Sequence, residues 1–164
     1  MPPTIHLRST APHDLETLFA FQCDAASCDM AGVKPRTRET FFGVWAQHFV
    51  NPKLNGQVIE IEAPNGREVV GSIACFQAPD DRGVEQDCVG YWLSRAHWGK
   101  GIAGAALKQF LALELRRPLH ATTDAKNHAS QRILLKCGFR LTGHRMGEET
   151  ERYMSREIAE FVLE

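Results

Sequence analysis

The chain has no surplus of basic residues, no long apolar run and no paired cysteine motif, and each absence removes a class of function. Lys and Arg number 19 against 20 Asp and Glu, a formal net charge of -1, so the broad positive field that gathers a nucleic-acid backbone is missing. Nucleic acid is not an expected partner. The longest mainly apolar stretches, such as Ile102 to Leu115, are broken by Gly104 and Lys108 and fall short of the roughly 20 residues needed to cross a bilayer, so no membrane association is expected. The five cysteines, Cys23, Cys28, Cys75, Cys88 and Cys137, are odd in number and include no C-x-x-C pair; they read as reduced, mostly buried thiols. The seven histidines are dispersed and give no metalloprotease spacing, so no metal is expected. The opening Met1-Pro2-Pro3-Thr4-Ile5 shows no basic segment followed by an apolar one, which makes a cytoplasmic location the expectation.

What is present is enough for one core. The 164 residues are 43% apolar, which suits a single domain over 1–164. Thr4 to Arg8 alternates as a short edge strand, and Asp14 is placed to cap a helix carrying Leu15, Leu18, Phe19 and Phe21. Asp24 to Arg38 reads as irregular. Thr40, Phe41, Val44, Trp45, His48 and Phe49 return to helical spacing and stop near Asn51-Pro52. Gln57 to Glu62 and Glu68 to Phe76 form a hairpin about Pro64-Asn65-Gly66-Arg67, with Asn65-Gly66 supplying the positive φ angles. Val84 to Ser94 is a long extended run that leads into Trp98-Gly99-Lys100-Gly101-Ile102-Ala103-Gly104. A helix over Ala105 to Leu115, a strand over Leu119 to Thr123, a helix over Asn127 to Lys136 and a strand over Phe139 to His144 follow, Gly138 stopping the second helix. Arg152 to Glu157 reads as a last strand, with Ile158 to Leu163 frayed or helical. The order βα, α, ββ, βαβαββ describes one mixed sheet with helices on its faces, an α+β sandwich.

A strand running into a glycine-rich turn and a helix makes an anion site. The first helical turn has backbone N–H groups with no partner, and the aligned peptide dipoles add roughly half a positive charge there. Gly99 and Gly101 keep side chains out of the way, and Lys100 adds a cation. A diphosphate fits such a place. Gly99, Gly101 and Gly104 also match the dinucleotide pattern G-x-G-x-x-G, with Asp124 downstream. A dinucleotide fold, however, opens on this turn and continues with several βα repeats, and too little chain follows here.

Val89-Gly90-Tyr91-Trp92-Leu93-Ser94 followed by Trp98-Gly99-Lys100-Gly101-Ile102-Ala103 resembles the acetyl-CoA signature of the GNAT acetyltransferase superfamily. Asn127-His128-Ala129-Ser130 with Leu134-Leu135-Lys136-Cys137-Gly138-Phe139 resembles the second half of that signature, in the style of the branch that acetylates ribosomal-protein N-termini. The resemblance implies an α/β/α sandwich: a mostly antiparallel sheet of six to seven strands, splayed between the fourth and fifth, with helices on both faces. It implies transfer of an acetyl group from acetyl-CoA to a primary amine by direct attack in a ternary complex. The amides of Gly99, Lys100, Gly101, Ile102, Ala103 and Gly104 are then expected at the diphosphate, and the backbone of Trp92, Leu93 and Ser94 along the pantetheine arm. The Leu93 N–H is expected at the thioester carbonyl, and Asn127 on the pantetheine. Trp98 stands where the family pattern usually has Arg or Gln.

Two proton transfers remain. The tyrosine that serves many relatives as acid is replaced by Leu134, and Ser130 resembles the serine that takes its place in the ribosomal-protein branch. The glutamate often used as base aligns with Cys88, which leaves Asp87 and Glu85 on the same strand as the candidates, with Glu60, Glu62, Glu149 and Glu151 also in reach of the argument. The acceptor is expected between Asp24 to Arg38 and Gly143 to Glu151, where Glu148, Glu149 and Glu151 form an acidic cluster. The alternative function is a non-catalytic acyl-CoA-binding module of the same fold. Either a monomer or a homodimer is compatible with the sequence.

Overall fold

The computed structural model describes residues 2–164. Seven strands form one sheet: β1 (Ile5–Ser9), β2 (Asn55–Ala63), β3 (Gly66–Pro79), β4 (Glu85–Leu93), β5 (Leu119–Asp124), β6 (Arg140–Met146) and β7 (Glu157–Leu163). Their order is β1-β2-β3-β4-β5-β7-β6. Every neighbouring pair is antiparallel except β4 and β5, which are joined through the helical crossover that a parallel pair requires. The helices are α1 (Leu15–Gln22), α2 (Ala25–Ala31), α3 (Arg38–Val50), α4 (Ile102–Leu113) and α5 (His128–Lys136).

Alternation along the strands supplies two cores. Ile59 and Ile61 face one side with Ile73, Cys75 and Val89, where Ile102, Ala106, Leu107 and Phe110 of α4 and Leu134 of α5 cover them. Val58 faces the other side, under Leu15 and Leu18 of α1 and Phe41 of α3. The expected sandwich, mostly antiparallel with helices on both faces, is what forms. The expected splay is present too: β4 and β5 share a single paired position, Cys88 with His120, and diverge beyond it.

Four local expectations are corrected. Ala25–Ala31 is helical, because the Asp24 carboxylate accepts from Ser27 N–H and Gly32 ends the helix at φ 69°, glycine being the residue best able to adopt that geometry. The last strand is Glu157–Leu163, held between β5 and β6, while Tyr153 makes only an isolated bridge to Val33. The hairpin turns one residue early, at Pro64-Asn65: Ala63 pairs with Gly66, and Gly66 alone takes a positive φ, 119°. Proline's fixed φ suits the first central position of a turn of ordinary hand. Asp14 precedes α1 but caps nothing in it; its carboxylate accepts from Ala11 N–H at 2.8 Å and from both terminal nitrogens of Arg8. Of the thiols, Cys28 and Cys75 are buried and Cys23 is exposed.

At the closed end of the β4–β5 pair lies a buried carboxylate. Glu114 accepts from Arg116 Nε at 2.9 Å, Arg116 Nη2 at 2.8 Å and Asn55 Nδ2 at 3.1 Å. Those hydrogen bonds from Arg116 outweigh the cost of burial and hold its carboxyl down at about 2. A carboxyl depressed in the folded state contributes stability above its unfolded value, and that stability is lost as pH falls from about 4.5 toward 2. Glu114→Gln is therefore expected to cost about 2–3 kcal/mol at neutral pH, a fall of roughly 5–10 °C in Tm. It should also flatten the acid limb of the stability curve, measured by thermal unfolding from pH 7 to pH 3.

Candidate active site

The open end of the splay is built by the last residues of β4. Ser94 N–H donates to Val70 O at 2.8 Å, and a Cβ on Gly71 would stand 2.2 Å from Trp92 O, so the groups on either side of Leu93 face β3. Backbone groups alternate direction along a strand, and the Leu93 N–H between them is turned toward β5, into the gap. Gly71 was not singled out from the sequence, although a lone glycine inside a strand signals close backbone approach. Here it lets β4 lie against β3 just where β3 slips register, between Ile59 and Glu60 of the partner strand.

Beyond Leu93 the chain makes one 3-10 turn, Arg95–His97, and then the glycine-rich bend. Gly99 and Gly101 both take left-handed φ angles, 75° and 76°, the first with open space where a side chain would be. Trp98 donates its indole N–H to Leu93 O at 3.0 Å, so the residue that replaces the usual Arg or Gln ties the bend to the end of β4. The first closed bond of α4 runs from Ala105 N–H to Gly101 O. The N–H groups from Gly99 to Gly104 precede it and find no acceptor among the described residues. Six unpartnered donors thus lead into the positive end of a twelve-residue helix, with exposed Lys100 beside them. The arrangement suits a diphosphate.

The far wall is the start of α5. Asn127 is its cap, its Oδ1 accepting from Ser130 N–H at 3.2 Å. This leaves the Asn127 amide NH2 group as a donor. Ser130 Oγ lies 2.6 Å from the phenolic oxygen of Tyr91 on β4, a contact between residues 39 apart in sequence. Burial pushes the Tyr91 phenol up to about 12, although its bond to Ser130 opposes the shift. The structure therefore joins Ser130 to Asn127 on α5 and to Tyr91 on β4, and ties the bend to Leu93 at the end of the same strand.

Asp87 and Glu85 are not part of that group. Both precede Cys88, the one position where β4 and β5 pair. Asp87 stands 3.6 Å from the Arg116 guanidinium and accepts from Gln77 Nε2 at 3.4 Å, while Glu85 is exposed. Asp124, the acidic residue of the dinucleotide pattern, is buried at the end of β5, where it accepts from Lys126 N–H and lies 3.2 Å from Arg156. It is committed to the protein, not to a ribose.

The first of the segments expected around the acceptor, Asp24 to Arg38, is tied to the end of the second and to the residues just past it. Lys34 N–H donates to Arg152 O, Met154 N–H to Gly32 O, and Lys34 Nζ to Thr150 O. Within the acidic cluster, Glu149 lies 3.4 Å from Lys34. A cleft of about 410 Å³ opens between the α1–α2 junction and the end of β4, lined by Ala20, Phe21, Asp24, Ser94, Arg95 and Ala96. Asp24 and Arg95 pair across it at 3.1 Å, and bonds from Ser27 hold the Asp24 carboxyl below its ordinary value.

Comparison with known proteins agrees with this geometry. A family model described as acetyltransferase (GNAT) domain matches residues 4–140. No curated protein matches the chain in sequence. Among solved structures, the spermidine N-acetyltransferase of Vibrio cholerae in complex with CoA and spermine superposes with a TM-score of 0.79 at 14% identity, over 97% of this chain and 94% of that one. The ribosomal L7/L12 alpha-N-protein acetyltransferase RimL in complex with coenzyme A gives 0.74 at 15%, over 98% and 93%. The Microcin C7 self immunity acetyltransferase MccE in complex with acetyl-CoA and AMP gives 0.70 at 16%, over 97% and 91%. At these identities the likeness is one of fold.

Proposed function

Because this chain belongs to the GNAT acetyltransferase family, we propose that it moves the acetyl group of acetyl-CoA directly to a primary amine in a ternary complex at the splayed end of β4 and β5. The observation that carries this reading is the set of unpartnered amides from Gly99 to Gly104 beside a strand end whose Leu93 N–H faces the gap. The residues present fit acetyl-CoA. Gly99, Lys100, Gly101, Ile102, Ala103 and Gly104 would hold the diphosphate. The backbone of Trp92, Leu93 and Ser94 would pair with the pantetheine arm as an added strand does, and the Asn127 amide would donate to it. The Leu93 N–H would stabilise negative charge as it develops on the acetyl oxygen. Ser130 would give its hydroxyl proton to the departing thiolate and recover one from solvent.

Deprotonation of the incoming ammonium is assigned to solvent, relayed to the carboxylates around the cleft, rather than to direct contact with Asp87 or Glu85. Arg116 already engages Asp87. Asp87→Asn is thus expected to lower kcat by less than about 5-fold, where a direct base would cost about 100-fold or more. The kcat of the two proteins decides this, since a loss of about 100-fold or more in the variant would restore Asp87 as the base.

The acceptor reading follows from the motif Asn127-His128-Ala129-Ser130 and from Asp24 in the cleft: an amine of the protein N-terminus class, with small-molecule amines as the second class. Release of free thiol from acetyl-CoA, assayed over peptides with free N-termini, polyamines and amino acids, tests the function. Amine-dependent release is expected. Acetyl-CoA binding with no release across the panel would favour the non-catalytic module.

A further inference from the structure

Tyr91 is a half-buried phenol whose partner is the hydroxyl assigned as acid. Its ring packs against the core beneath α4 and α5. Its oxygen has two acceptors within reach: Ser130 Oγ at 2.6 Å and Ser130 O at 3.5 Å. A buried hydroxyl left without an acceptor is costly, and the carbonyl lies at the far limit of hydrogen-bonding distance. Either oxygen can donate in the 2.6 Å contact; donation by the phenol gives its hydrogen the nearer of the two acceptors. A serine hydroxyl has one hydrogen and two lone pairs. With one lone pair filled by a donating Tyr91, the Ser130 hydrogen is free to turn toward the splay. Ser130 N–H is already spent on Asn127, which fixes the backbone from which that hydroxyl projects.

We infer that Tyr91 is a positioning residue for the transfer: it aims the Ser130 proton into the cleft and holds the negative charge that grows on Ser130 Oγ as that proton moves to sulfur. The inference rests on the assignment of Ser130 above. No proton leaves Tyr91; the O–H bond that breaks is that of Ser130, and solvent replaces its proton after the thiol departs. The lost acid at Leu134 is thereby replaced by two hydroxyls, one on β4 and one on α5, that meet across the splay.

The test is a cycle of Tyr91→Phe, Ser130→Ala and the double variant. Phenylalanine keeps the ring and its packing. Tyr91→Phe is expected to lower kcat by about 10-fold, with the KM for acetyl-CoA within about 2-fold, and to add nothing in the Ser130→Ala background. Full activity in Tyr91→Phe alongside an impaired Ser130→Ala would overturn the inference and leave the Ser130 assignment standing, as would losses that simply add. Full activity in Ser130→Ala would overturn both. A second readout needs no turnover. The chain has two tyrosines, so the ring-labelled NMR signal of Tyr91 is identified by its loss in Tyr91→Phe. That signal should shift in Ser130→Ala with no ligand present, and an unmoved signal would show that the hydroxyl contact is not formed.

Discussion

Gly101→Glu is expected to raise the Kd for acetyl-CoA by about 100-fold or more, equivalent to about 2.7 kcal/mol. The change puts a carboxylate at the residue immediately before α4, among the unpartnered amides from Gly99 to Gly104 and at the positive end of the helix. An anion there occupies the donors that a diphosphate needs and repels its charge. Part of the effect has another source, because Gly101 sits at φ 76° and any side chain there costs roughly 1–2 kcal/mol of backbone strain. Gly101→Ala separates the two. It carries the strain without the charge, and the space around it is ordinary, with Pro2 at 3.5 Å as the nearest neighbour. The alanine variant should lose a few degrees of Tm and less than about 10-fold in affinity. Calorimetric titration with acetyl-CoA and thermal unfolding of both variants check the split.

Ser130→Ala is the second large effect, and it should fall on turnover alone. Placed proton donors contribute about 100-fold to 10,000-fold; the low end is expected, since a thiolate leaves without full protonation. The variant keeps the Ser130 N–H that Asn127 accepts, so the cap of α5 and the pantetheine wall survive. The Kd for acetyl-CoA should stay within about 3-fold while kcat falls by about 100-fold. A matched loss of affinity would mean instead that Ser130 orients the arm.

Legibility of this fold in the sequence followed the strength of local signals. The glycine-rich bend was readable because left-handed angles at Gly99 and Gly101 leave few other residues possible, and α4 because Ala106, Leu107, Phe110 and Leu111 repeat at helical spacing, although the helix runs Ile102–Leu113 rather than from Ala105 to Leu115. The helix α2 went unread although Asp24 and Gly32 bracket it, since Ala25 to Ala31 carries little apolar periodicity and draws its order from its caps. The strand β7 was placed too early because Glu157–Leu163 has adjacent buried residues, Phe161 and Val162, so its pattern does not separate strand from helix. Its place between β5 and β6 comes from pairing with distant chain. The cleft divides the same way. Leu93, Asn127 and the bend belong to short motifs, whereas Tyr91 meeting Ser130 and Arg116 engaging Asp87 are products of topology that no local spacing encodes. Gly71 left a signal that pointed to close approach but not to its partner, Trp92.

The most direct test of the whole scheme is a crystal structure with acetyl-CoA bound. The diphosphate is expected within hydrogen-bonding distance of the amides from Gly99 to Gly104, with the acetyl oxygen on Leu93 N–H and the sulfur facing Ser130. A diphosphate seated elsewhere on the sheet, with the bend still open to solvent, would contradict it.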